Sequence, residues 1–213
     1  MKDRTQKYIN EFVNNHKELE FLIEPICKAV DLIVNLKPEN KLLTCGNGGS
    51  AADSEHITGE FLKSFMLKRK VNQEFKDTLI KKFSDGEYIA DNLQQGIKAI
   101  PLTSFIAHNT AFMNDCDAKF VFAQLVNSLG IKDDVLIAIS TSGNSKNIIN
   151  ASKVAMAKGI KVIALTGETG GELKQFCDVL INVPSKVVWK IQEYHLPIYH
   201  LICLCVESEL FDE

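Results

Sequence analysis

The sequence has no excess of basic charge. Twenty-four Lys and Arg stand against 27 Asp and Glu, a formal net charge of −3, which argues against a nucleic-acid-binding surface. It also lacks any uninterrupted apolar run near the ~18–20 residues that cross a bilayer. No membrane partner is therefore expected. The opening MKDRTQKYINEF has neither the apolar centre nor the cleavage site of a secretory leader, so a cytoplasmic location is expected. Solenoid repeats, low-complexity tracts and dividing linkers are absent, and 213 residues with none of these read as one domain spanning 1–213. Six cysteines in a chain without a leader read as free thiols rather than a disulfide framework. Cys203 and Cys205, inside LICLCVE, read as core packing. At 46% hydrophobic and 24% charged residues, the composition is that of a folded protein rather than a disordered one.

What is present is a rhythm. KLLTC (41–45), KAIPLTS (98–104), DVLIAIS (134–140), IKVIALT (160–166) and DVLINVP (178–184) are short β-favouring runs, mostly separated by helical stretches. Such alternation predicts an α/β fold, a doubly wound, mainly parallel sheet of about five strands with right-handed crossovers. Residues 7–36 carry apolar positions at helical spacing and predict one or two amphipathic helices, with Pro25 as a candidate break. Val187 to about Phe211 predicts a long helix kinked at Pro197, which cannot donate to the carbonyl of Glu193. Residues 68–97 interrupt the rhythm. Their polar, partly helical composition predicts an excursion outside the sheet.

Two loops carry chemistry. CGNGGSAADSEH (45–56) joins a strand to a helix, and Gly46, Gly48 and Gly49 let its backbone turn tightly and approach a ligand. Asn47, Ser50 and the first helical N–H groups then converge on an anion. It is neither a Walker A loop nor a G-x-G-x-x-G fingerprint. ISTSGNSKN (139–147) follows another strand, and Ser140, Thr141, Ser142 and Ser145 supply four hydroxyls within six positions. Ser and Thr there also serve as ordinary helix caps. Two such loops at strand carboxyl ends predict a phosphate site that needs no lysine.

His56 and Glu60, four apart, share one face of the helix after the first loop, where they can bind a divalent metal or move protons. The last helix offers Gln192, Glu193, His195 and His200. Gln192 and His200 point to roughly the same side, but spacing alone does not rank His200 above His195. Asn114–Asp115 reads as a loop turn.

CGNGGSAADSEH, Asn114–Asp115, STSGNS and IQEYHLPIYH together resemble a sugar isomerase (SIS) domain, and more narrowly the phosphoheptose isomerase family. The resemblance covers nearly the whole chain apart from 68–97. It implies interconversion of sedoheptulose 7-phosphate and D-glycero-D-manno-heptose 7-phosphate through an enediol-type intermediate. It implies Glu60 as base, His200 as acid, and one zinc ion held by His56, Glu60, Gln192 and His200. The surplus apolar surface of 7–36 and 187–211 is expected to pack against partner subunits; the resemblance also implies substrate contacts from Asn114, Asp115 and Gln192, and a homotetramer of this kind whose sites are completed by neighbouring chains. Phe105 stands where the family commonly carries Asp. The alternatives are an isomerase of another sugar phosphate, or a non-catalytic SIS protein that binds sugar phosphates or associates with the bacterial replication initiator.

Overall fold

A computed structural model describes residues 1–212. Helix α1 (Asp3–Asn15) leads through a 3-10 turn to α2 (Ile23–Val34), β1 (Leu42–Cys45) and α3 (Gly49–Leu62). Next come α4 (Gln73–Lys82), α5 (Gly86–Asn92), β2 (Ala99–Pro101), α6 (Ile106–Asp115) and α7 (Val121–Leu129). The chain closes with β3 (Val135–Ser140), α8 (Lys146–Ala157), β4 (Lys161–Thr166), β5 (Val179–Asn182) and α9 (Val188–Leu210). All strand pairs are parallel, in the order β2-β1-β3-β4-β5. The strand order reverses between β1 and β3, which is where open parallel sheets of this kind place their ligands.

Both faces of the sheet are covered, so its strands read as continuous apolar runs. Ile137, Ile139, Ile163 and Leu165 point to one face and meet α1, α2, α3 and α9. Leu136, Ala138, Val162 and Ala164 point to the other and meet α7 and α8. Thr44 is the polar exception on β1. Its hydroxyl donates to the Ser54 carbonyl at 3.0 Å and lies 3.1 Å from the Thr58 hydroxyl. Small hydroxyl residues on the inner face of α3 thus let that helix lie close on β1, which fixes the helix carrying His56 and Glu60.

Two expectations change in detail. Pro25 does not break the N-terminal helices. It sits in the first turn of α2, where a missing N–H costs no helical bond, and the break falls at His16–Leu22. Asn114–Asp115 ends a helix rather than forming a free turn. The inner faces of α1 and α2 pack within the chain: Ile9, Phe12, Ile26, Val30 and Ile33 meet Ile202 and Val206 of α9.

The 68–97 excursion is a pair of helices, α4 and α5, docked by a buried ion pair. Arg69 Nε donates to Glu207 Oε1 at 2.7 Å, and its other nitrogens donate to the carbonyls of Phe61 and Glu60. α9 runs unbroken through Pro197. No described helix is long and apolar enough to cross a membrane. The six cysteines are free, with Cys45, Cys203 and Cys205 buried.

Candidate active site

The first loop turns at Gly48, whose φ of +57° favours glycine. The carbonyls of Asn47 and Gly48 accept the first bonds of α3, from the Ser50 and Ala51 amides at 3.0 Å each. The second loop turns at Gly143 (φ +65°), where a Cβ would come within 2.1 Å of the Gly170 carbonyl oxygen. The segment after β4 braces it: the Gly167 amide donates to the Thr141 carbonyl at 2.9 Å and the Glu172 amide to Asn144 Oδ1 at 3.0 Å.

Neither α3 nor α8 has a side-chain cap on its N-terminus. Ser145 occupies the cap position of α8, yet its hydroxyl accepts from Ser140 Oγ at 3.0 Å instead of closing the helix end. Ser140 and Ser145 thus pair at the start of α8, while Ser142 Oγ accepts from the Asn144 amide at 3.1 Å, and both helix ends keep backbone N–H groups suited to an anion. The two loops are also joined directly. Asn47 and Asn147 exchange amide bonds of 3.0 and 2.9 Å across β1 and β3. Asn147 was not singled out from the sequence, although it lies in the same serine-rich loop.

Gln192 stands over the first loop. A Cβ on Gly49 would fall 2.6 Å from its amide nitrogen, so a larger residue there would have to displace the Gln192 side chain. Further along α3, His56 Nε2 lies 3.3 Å from Glu60 Oε1, while Lys63 Nζ holds Glu60 Oε2 at 2.7 Å. The His56 and His200 rings stand edge-on with centroids 5.0 Å apart. His200 Nε2 is buried without a hydrogen-bond partner. Burial, then the neighbouring His56, hold the His200 imidazole below its ordinary pKa, opposed by Glu60. His56, Glu60 and His200 are thus brought together. Gln192 meets α3 one to two turns earlier, its amide beside Gly49.

The structure separates His200 from His195 where spacing did not. His195 is fully buried, with Nε2 3.2 Å from the Thr166 carbonyl, and desolvation takes its pKa down to about 4. It is a core residue. Asn114 and Asp115 lie exposed on α6, a helix with no buried residue, and bond to each other at 2.8 Å. Phe105, at the start of α6, packs on the cluster around Leu102 and Phe122.

Donor chemistry at the His56 end suits a divalent cation: two imidazoles, one carboxylate, and a buried ring nitrogen with no partner. Among the described residues, no three or more His, Cys, Asp or Glu side chains already stand in metal-binding geometry.

A parallel sheet with paired hydroxyl loops at its switch point defines the SIS class, and the SIS domain model matches residues 94–167. The likeness extends over the whole chain. A phosphoheptose isomerase of Aneurinibacillus thermoaerophilus is 37% identical over 214 aligned positions, 99% of this chain and 94% of the relative. The structure of a phosphoheptose isomerase from Neisseria gonorrhoeae superposes with a TM-score of 0.72 at 33% identity, covering 97% of this chain and 98% of that one. One from Francisella tularensis gives 0.75 at 31% identity, covering 97% of each. The chain belongs to the phosphoheptose isomerase family.

Proposed function

We propose that this chain interconverts D-sedoheptulose 7-phosphate and D-glycero-D-manno-heptose 7-phosphate as an aldose–ketose isomerase. The observation that carries the reading is that α3 joins an anion-binding end to an acid–base face. The roughly 10 Å of rise between Gly49 and His56 suits an open-chain sugar phosphate of six or seven carbons and exceeds a triose phosphate.

The phosphate would take its hydrogen bonds from the loop backbone at Asn47, Gly48 and Gly49 and from the hydroxyls of Ser50, Ser140, Thr141, Ser142 and Ser145. Gln192 closes over that end and binds the chain next to it. Glu60 removes the carbon-bound proton beside the carbonyl, and His200 exchanges protons with the two oxygens of the enediol. A zinc ion would be held by His56, Glu60 and His200, and when bound it supplies polarisation of the substrate carbonyl. Gln192 would be the fourth donor, as the resemblance implies, and its amide beside Gly49 also reaches the substrate end.

A homotetramer in the cytoplasm completes the proposal. Val188, Trp189 and Leu196 leave apolar surface on the first half of α9, with Trp189 62% exposed. Subunit packing would cover it and would bring Asn114 and Asp115 of the exposed α6 to a neighbouring site. Light scattering should report four chains.

The test is an assay of the purified protein, zinc-loaded and metal-free, against sedoheptulose 7-phosphate, fructose 6-phosphate and ribulose 5-phosphate. Turnover of sedoheptulose 7-phosphate to the aldose well above that of the shorter sugars is expected. Binding without turnover would leave a sugar-phosphate-binding protein, and a preference for another ketose phosphate would reassign the substrate.

A further inference from the structure

Tyr199 touches both imidazoles of the site. It is 2% exposed, and its ring stands edge-on to His56 and His200 at centroid distances of 5.4 and 5.0 Å. Its hydroxyl oxygen lies 3.1 Å from His56 Nδ1, and it donates to Asp53 Oδ1 at 3.3 Å. Asp53 and His56 are three apart on α3, so both lie on the same face, about one turn from each other. Asp53 Oδ2 is buried without a partner. Among the described residues this carboxylate has no ion pair, and the phenol is its only hydrogen-bond donor.

A histidine uses one ring nitrogen according to what holds the other. Here the nitrogen turned inward is Nδ1, held by the phenol. Nε2 faces Glu60. A hydroxyl carries one proton. With that proton given to Asp53, the phenol oxygen accepts from His56 Nδ1–H, and the bare Nε2 lone pair points at the space shared with Glu60 and His200.

We propose that Tyr199, anchored by Asp53, is a positioning residue that holds His56 by Nδ1 and so presents Nε2 to the reacting space. Neither residue touches substrate. The inference rests on the reading of His56 as a site residue, and one of its tests is independent of turnover.

The experiment compares the full-length wild type with Tyr199→Phe. Phenylalanine keeps the ring packing and deletes the hydroxyl. Long-range proton–nitrogen NMR of protein carrying 15N-labelled histidine, metal-free, reads the ring nitrogens directly. The Nδ1 resonance of His56 is expected to move by several parts per million in Tyr199→Phe, with the His195 resonances unmoved. An Nδ1 resonance identical in the two proteins overturns the proposal. Zinc affinity, titrated in competition with a chromophoric chelator, should weaken roughly 10- to 100-fold, the usual effect of losing a partner that orients a ligand. Affinity within twofold of wild type also overturns it. Should the wild type bind no zinc, the metal reading fails while the NMR comparison still decides the role of Tyr199. Wild type without isomerase turnover but with the expected NMR shift would fail the proposed function alone. If Tyr199→Phe does not fold, Asp53→Ala replaces it, with the same Nδ1 displacement expected and the same null result fatal.

Discussion

Replacing Glu207 by Gln should be among the most damaging single changes outside the reacting groups. Glu207 lies 1% exposed on α9, and its two oxygens are fully committed. Oε1 accepts from the Phe65 amide at 2.8 Å and from Arg69 Nε at 2.7 Å. Oε2 accepts from the amides of Met66 and Leu67 at 2.8 and 3.1 Å. Glutamine keeps the shape but sets an NH2 group against donors on one side and leaves the buried Arg69 guanidinium without its counter-charge. Breaking a buried pair from one side costs about 3–5 kcal/mol. At roughly 2–4 °C per kcal/mol for a domain of this size, Tm should fall by roughly 6–20 °C at fixed protein concentration. Arg69 also holds the Glu60 carbonyl at 3.1 Å, so turnover should drop before the protein unfolds. Deleting both charges with Arg69→Met and Glu207→Leu will not restore stability, because three backbone amides lose their acceptor at about 1–3 kcal/mol each. The linkage has a definite sign. Burial pushes the Glu207 carboxyl upward, but the Phe65 and Met66 amides and Arg69 outweigh it, and the folded pKa lies below the ordinary Glu value. Its contribution is therefore present above that value and is lost as pH falls through the lower, folded one. Calorimetry showing a loss under about 1 kcal/mol in Glu207→Gln would refute this account of how the excursion is held.

Glu60→Gln should fold normally and lose roughly 10²–10⁴-fold in turnover; near-wild-type conversion of sedoheptulose 7-phosphate would remove Glu60 as the base. Ser142→Ala should weaken substrate binding by about 1.5–3 kcal/mol, the worth of a hydrogen bond to a charged group, and an unchanged KM and Kd would take Ser142 out of the phosphate site. His195 should stay neutral down to about pH 4, so stability rises with pH from there to the ordinary imidazole value, because the unfolded state binds the extra proton. An NMR titration of His195 near neutrality would contradict its burial.

The strands were legible because each is a short apolar run ended by a turn signal, and burial on both faces leaves few other residues to use. The N-terminal break was misplaced for a local reason. Proline stops a helix only where an amide is needed, and Pro25 falls where it is not. The excursion's composition was readable but its anchor was not, since nothing near Arg69 in sequence announces Glu207, 138 positions away.

The site divides along the same line. Its loops could be read because glycine and hydroxyl residues cluster within single turns, and His56 and Glu60 because helical spacing is local. Spacing alone did not choose His200 over His195; the resemblance did, and the third dimension gives the reason, since five positions on one helix are enough to turn one ring into the core and the other toward His56. Tyr199 and Lys63 were invisible for a further reason. A tyrosine in an apolar helix face reads as core, and Tyr199 is core by burial; only the 3.1 Å approach of its hydroxyl to His56 gives it another role. Lys63 reads as a solvated charge, and its Nζ nonetheless lies 2.7 Å from the carboxylate assigned as base. Spacing along one helix finds the groups that share a face, whereas the groups that hold them arrive from α9 or the next turn, and those contacts are set only when α3 is laid down on β1.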